Sequence, residues 1–175
     1  MSASSYSAFK LEDVTETFEV EVRFVEGLFD DISERKVSQE LHNALKRNIP
    51  LALSMFSEKA KSELIVTPVL LELYDQADPK FSFFSGIEFR VDPQRGLKGI
   101  CDFIISRSQI QTVLTAPIVT LVEAKRDDFE KGLAQCVAEM IAAQIFNERK
   151  NQDIETIYGV ITNGSSWRFL RLQGK

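Results

Sequence analysis

Apolar residues recur along this chain with two different periods. Phe18, Val20, Val22 and Phe24 interleave with Glu19, Glu21 and Arg23, a period of two that predicts a half-exposed strand. Asp31-Ile32-Ser33-Glu34 has capping-box spacing, so a short helix is expected to start there. A second helix is expected over residues 38–53, with Leu41, Leu45 and Ile49 on one face and Pro50 disturbing it. Residues 1–15, small and polar, are expected to fray. From Ser57, a good N-cap, the spacing of Ala60, Leu64, Thr67 and Leu71 predicts a helix to about Tyr74, bent at Pro68 and ended by Asp78-Pro79.

Strand signals follow. Residues 81–91 are rich in aromatics, with Gly86 a candidate bulge or point of close approach. Asp92-Pro93-Gln94-Arg95-Gly96 is turn chemistry. Residues 99–106 and 118–125 read as two further strands, joined by a polar loop. Leu133, Val137, Met140, Ile141 and Ile145 then mark a helix over residues 129–148. Residues 156–162 and 167–172 form the last two strands, linked by Asn163-Gly164-Ser165-Ser166, a hairpin signal. The core order α-β-β-β-α-β-β predicts an α/β fold, a mixed β-sheet flanked by helices. A strand and helix extension over residues 1–56 is expected to pack on a core of residues 57–175, as one compact domain.

Composition narrows the picture. Hydrophobic residues make up 44% of the 175 and charged residues 27%, an ordinary globular balance. There is no apolar run of about 18 residues and no basic-then-apolar leader, so neither a membrane partner nor secretion is expected. Cys101 and Cys136 fall in apolar runs and read as free thiols in a reducing, cytoplasmic setting. With His42 the sole histidine, a zinc ligand set or a Ser-His-Asp or thiol–His pair is not indicated. The net charge of −5 argues against a strong unaided nucleic-acid binder. The excess is local: residues 1–57 carry ten acids against six bases, and the rest sixteen against fifteen.

Two apolar runs each carry a carboxylate. Asp102 lies within Gly99-Ile100-Cys101-Asp102-Phe103-Ile104-Ile105, and Glu123 within Val119-Thr120-Leu121-Val122-Glu123-Ala124-Lys125. An unpaired buried carboxylate costs several kcal/mol, so each needs a metal, a cation or several donors. Glu123 and Lys125, two apart in a strand, project to one face. If the strands are neighbours, Asp102 joins them, and two acids with a lysine make a small divalent-metal site suited to phosphodiester hydrolysis. The plainer account is a structural ion pair between Asp102 and Lys125.

Asp102 followed by Glu123-Ala124-Lys125 resembles the PD-(D/E)XK nuclease superfamily, with its restriction-endonuclease-like fold. The likeness runs over residues 57–172. Ser57-Glu58, Leu64-Ile65-Val66-Thr67-Pro68-Val69-Leu70-Leu71, Lys131-Gly132-Leu133-Ala134-Gln135 and Thr162-Asn163-Gly164-Ser165-Ser166-Trp167-Arg168-Phe169 resemble the N-terminal nuclease domain of type I restriction motor subunits, and small stand-alone cyanobacterial proteins. The resemblance implies that Asp102 and Glu123 hold Mg2+ or Mn2+ while Lys125 assists the attacking water. It also implies a glutamate from the first core helix. Counting back from Pro68 favours Glu58, whereas helical spacing favours Glu63. Gln135 matches a glutamine of RecB-like and type I-like members, although Glu139 stands where those carry tyrosine, and Cys101 replaces the motif's proline. The implied function is metal-dependent (endo)nuclease cleavage of DNA. The alternative is a catalytically inactive nuclease-like module that binds nucleic acid or a protein partner. A homodimer fits either, since no recognition domain is evident. Arg126, Lys131, Arg168 and Arg171 line a phosphate path or simply solvate outer faces, and Trp167 packs the hairpin or stacks on a base.

Overall fold

The computed structural model describes residues 5–124 and 129–174. Five strands form one mixed sheet in the order β1-β2-β3-β4-β5. Strands β1 (Ser82–Asp92) and β2 (Leu97–Ser106) form an antiparallel hairpin. Its turn is held by Asp92, which accepts from Arg95 N at 3.3 Å and pairs with Arg95 Nε at 2.7 Å. Strand β3 (Ile118–Ala124) runs antiparallel to β2. A parallel partner needs a crossover, and helix α5 (Phe129–Arg149) supplies it to β4 (Thr156–Thr162). Strand β5 (Trp167–Gln173) closes the sheet as the second arm of a hairpin, where Asn163 Oδ1 accepts from the backbone N–H of Ser165 and Ser166.

Helix α5 is apolar nearly all round, and it is buried nearly all round. Ala134, Cys136, Ala138, Met140 and Ala142 pack on Cys101, Ile104, Leu121, Ile157 and Ile161 of the sheet. Small residues let it approach closely. A Cβ at Gly159 would lie 2.8 Å from Cys136 Sγ and against Met140 Sδ. Asn147 locks the start of β3, accepting from Ile118 N at 2.8 Å and donating to Ile118 O at 2.7 Å. The opposite sheet face holds Phe103, Val122, Val160 and Trp167, covered by Val66 and Leu70.

That second layer is one interrupted helical segment. Helix α3 (Glu58–Lys61) is capped by Ser57, whose Oγ accepts from Ala60 N at 3.0 Å, as the sequence predicts. It widens into a π-helical turn over Ser62–Val66 before α4 (Thr67–Gln76). The π turn ends where Pro68 lacks a donor, so the proline is absorbed as a local widening. The widening also turns the buried stripe to Ala60, Ile65, Val66 and Leu70, leaving Leu71 exposed against the helical-spacing prediction.

Other departures lie in the N-terminal third. Residues 18–24 form no strand. Phe18 instead ends helix α1 (Leu11–Phe18), Glu19 takes a left-handed backbone, and Phe24 is 94% exposed. No sheet edge accepts the segment, and a period of two without a partner makes no strand. Asp31-Ile32-Ser33-Glu34 starts no helix either. Nor does the N-terminus fray from residue 5 onward: Tyr6, Phe9 and Val14 are buried against the α5 layer. Helix α2 (Gln39–Ser54) forms where predicted and continues past Pro50, which does not end it. Phe29 crosses the sheet's outer corner, its ring 5.2 Å from that of Phe169.

Candidate active site

The site is built where β2 and β3 part. The β2–β3 ladder begins only at the Phe103–Val122 pair, which leaves Ala124, paired with Thr162 of β4, unpaired on its β2 side. Asp102 supplies a partner there: its Oδ2 accepts from Ala124 N at 2.8 Å. A side chain thus replaces the carbonyl that a longer ladder would provide.

A change of phase in the strands aims the chemistry here. Cys101 packs on the α5 side and Phe103 on the α4 side, although residues two apart in a regular strand share a face. The facing strand does the same: Phe83 lies on the α4 side and Ile87 on the α5 side. Between them is Gly86, at φ +63° and missing from a register that is continuous on either side of it from Ser82 to Arg90. The left-handed backbone there favours glycine. The bulge expected at Gly86 falls elsewhere, between Arg90 and Asp92. Gly86 and Asp102 are therefore the hinge at which the hairpin switches faces, and both line the cleft that results.

This cleft measures about 490 Å³ and gathers most of the residues singled out in the sequence. Asp102, Glu123, Gln135, Glu58 and Glu63 all line it. Lys125 and Arg126 lie outside the described residues. Asp102 is half-buried rather than enclosed, whereas Glu123 is only 1% exposed. Glu58 and Glu63 are both exposed on the opposite wall, and Glu63 pairs with Lys59 at 2.9 Å. Neither glutamate is singled out, since both face the same space.

Behind the cleft is a polar cluster within the apolar α5 layer. Gln135, 4% exposed, donates from Nε2 to Glu139 Oε1 at 3.0 Å. Its own Oε1 is buried and has no hydrogen-bond partner among the described residues. Glu139 is completely buried. The thiol of Cys101 is pushed well up by burial, then by the charges of Glu139 and Glu123, with a hydrogen bond to Glu139 and the charge of Asp102 adding to the shift. Cys136 is raised by burial and by the same two glutamates, while a backbone hydrogen bond with Val160 acts the other way. Tyr6 is raised by burial, then by Cys101 and Glu139, and its hydroxyl also has no partner among the described residues. Both cysteines are free and buried, as the sequence predicts.

Sequence reasoning misses Glu139 and Tyr6 as site residues. For Glu139 a signal existed: it is an acid in the run Cys136-Val137-Ala138-Glu139-Met140-Ile141, the same criterion that finds Asp102 and Glu123. Tyr6 gave none, because its burial depends on a segment docking from far along the chain.

The other candidates divide. Trp167 packs beneath α4, as hairpin packing would have it. Arg168 rests over the Phe129 ring at 4.5 Å, and Lys131 and Arg171 are exposed. Among the described residues, no group of three or more His, Cys, Asp or Glu is disposed to hold a metal, and no helix is long and apolar enough to cross a membrane.

No family model matches the chain, and no solved structure does. Crinkler effector protein 1 of Rhizophagus irregularis is similar to it, 28% identical over 128 residues that cover 67% of this chain and 24% of that protein. The chain spans about a quarter of the length of that curated relative.

Proposed function

We propose that the protein is a nuclease of the restriction-endonuclease-like fold, hydrolysing phosphodiester bonds in DNA with Mg2+ or Mn2+. The observation that carries this reading is the meeting of Asp102, Glu123 and Gln135 on one wall of a cleft that a helix-borne glutamate faces from the other. The donor set suits a hard cation that binds through one or two carboxylates and keeps several waters. Asp102 and Glu123 would hold the ion, and the buried Gln135 Oε1 is an oxygen in need of a partner beside them. Bound between them, such an ion would supply Lewis-acid stabilisation of charge on the phosphate.

The chain's own residues do the rest. Asp102 braces the backbone of β3 through Ala124, so the two strands present their carboxylates in a fixed relation. Glu123 is held by the parallel pairing of its strand with β4, opposite Ile161. Gln135 anchors to Glu139, which fixes the amide's orientation against the cleft. Lys125, two places beyond Glu123 in sequence, is assigned to orienting water and offsetting charge at the phosphate.

Nicking of supercoiled plasmid with Mg2+ or Mn2+ tests the reading. Glu123→Gln and Asp102→Asn should each lower the rate by about a hundredfold or more, since even groups behind a metal ligand carry roughly 10–100-fold. Thermal unfolding of the variants checks that the fold survives. Cleavage at the wild-type rate in both would remove the site.

A second reading is favoured by the near-complete burial of Glu123 and the net charge of −5. In it the protein is a catalytically inactive module of the same fold, bound to nucleic acid or a protein partner. Similarity to a segment of a much longer effector protein is in keeping with such a module. Calorimetric titration with Mn2+ separates the two, because only the enzyme requires binding that disappears in Asp102→Asn.

A further inference from the structure

The elbow between α2 and α3 forms one lip of the cleft. Residues Glu58, Lys59, Ser62 and Glu63 beyond it face the cavity directly. At the apex, Phe56 is 73% exposed and holds φ at +50°. A bulky side chain with left-handed backbone is a rare combination, and such outliers cluster where a ligand is held. The turn that imposes it is well anchored: Met55 N donates to Leu51 O at 3.3 Å, and Ser57 caps the next helix. The ring is thus held exposed two residues before Glu58, which lines the cleft.

Its surroundings have a consistent chemistry. Leu53 and Met55 are exposed on the same elbow. Residues 46–61 carry Lys46, Arg47, Lys59 and Lys61 against Glu58 alone, in a chain that is acidic as a whole. Lys59 is shared with Glu63, which leaves the other bases to set the sign of the elbow. An exposed ring on a segment whose sequence is locally basic is a combination that suits a single nucleic-acid strand: cationic groups take the phosphates and the ring stacks on an unpaired base.

We infer that this elbow is the strand-binding lip of the site, with Phe56 stacking on an unstacked base of single-stranded nucleic acid while Lys46, Arg47 and Lys61 follow its phosphates. The inference rests on the nuclease reading for what enters the cleft, but it concerns binding alone. It also selects the substrate: single strands or frayed ends over intact duplex.

Fluorescence anisotropy of a labelled single-stranded oligonucleotide in EDTA reads binding without hydrolysis. Phe56→Ala should weaken it about fivefold or more, while Phe56→Trp should retain it and add an indole emission that quenches on titration. Lys61→Gln should lower the salt slope by about 0.7. Duplex of the same sequence should bind more weakly. Equal affinity in wild type and Phe56→Ala, or no binding by wild type, overturns the inference, and so does a concentration-dependent dimer that Phe56→Ala abolishes. Strand binding lost in Phe56→Ala, with no metal-dependent cleavage of either the single strand or the plasmid by the wild type, would instead sink the nuclease reading and leave the lip standing. Glu123-dependent nicking with a neutral Phe56→Ala would do the reverse.

Discussion

At Asp102 a carboxylate substitutes for a missing stretch of ladder, and the residues behind it carry the cost of keeping acids inside an apolar layer. Glu139 and Glu123 both act on the two thiols, and burial acts in the same direction. The neutral thiol is therefore favoured in the folded state. A group that holds its proton more tightly when folded contributes stability in full below its unfolded pKa, near 9.0 for these thiols, and loses it as the pH climbs above that value. Two results are expected. The native protein should give no reaction with a thiol reagent at pH 8, and the denatured protein should give two equivalents. Unfolding midpoints should fall as the pH rises from 9 to 10, and replacing both cysteines with alanine should flatten that fall. Prompt modification of a native thiol would mean the α5 layer is open at the site. Asp102 and Glu123 are legible in the sequence because their nearest chain neighbours are apolar, and the same criterion finds Glu139. Tyr6 escapes it, since its apolar surroundings are assembled by the fold and not by its neighbours in the chain.

Among the elements, α2 offers the cleanest case of a sequence signal that the structure completes. The sequence starts the helix at Ser38; in the structure Ser38 stands one place before it and caps it, its Oγ accepting from Leu41 N at 3.1 Å. What the pattern does not contain is the second partner. Glu72, on α4, accepts from Ser38 N at 2.8 Å and from Ser38 Oγ at 2.6 Å. The Ser38 hydroxyl, then the Ser38 backbone N–H and the Gln76 amide, hold the Glu72 carboxyl below its usual range against a modest opposing effect of desolvation. A lowered carboxylate pKa gives stability present above about 4.5 and lost as the pH falls through the folded value. Ser38→Ala removes the helix cap and one of the two Ser38 donors to Glu72, so it should lower the midpoint near neutrality and make the loss of stability below pH 4.5 shallower. Urea midpoints at pH 7 and pH 4 measure both, and an unchanged midpoint at pH 7 would mean the cap contributes nothing. The failed strand at residues 18–24 is the complementary lesson. Alternation states which face of a strand would be buried, but a neighbour must supply the hydrogen bonds. The pairing order runs from β1 to β5 without that segment.

For the molecule as a whole, the N-terminal segment decides whether the core is self-sufficient. Helix α5 has one face on the sheet, and Tyr6, Phe9 and Val14 belong to the core cluster the two share. Tyr6 also stacks on Phe89 with centroids 6.5 Å apart, and a Cβ at Gly99 would sit 2.9 Å from its ring. Each of these side chains contributes about 1.5–3 kcal/mol when fully buried, and a domain of this kind has only about 5–15 kcal/mol in total. Deletion of residues 1–18 removes all three and exposes α5 residues that have no polar face to offer water. The truncated chain should lose most of its unfolding cooperativity and bind a hydrophobic dye, whereas Tyr6→Ala alone should lower the midpoint while keeping a single transition. The site should feel the deletion too, because Ser7 lines the cleft and Tyr6 lies within reach of Glu139 and Cys101. If residues 19–175 instead unfold with the full-length midpoint and slope, the core closes without its N-terminal cover. The polar cluster behind Asp102 and Glu123 would then have to be held by α5 and the sheet alone.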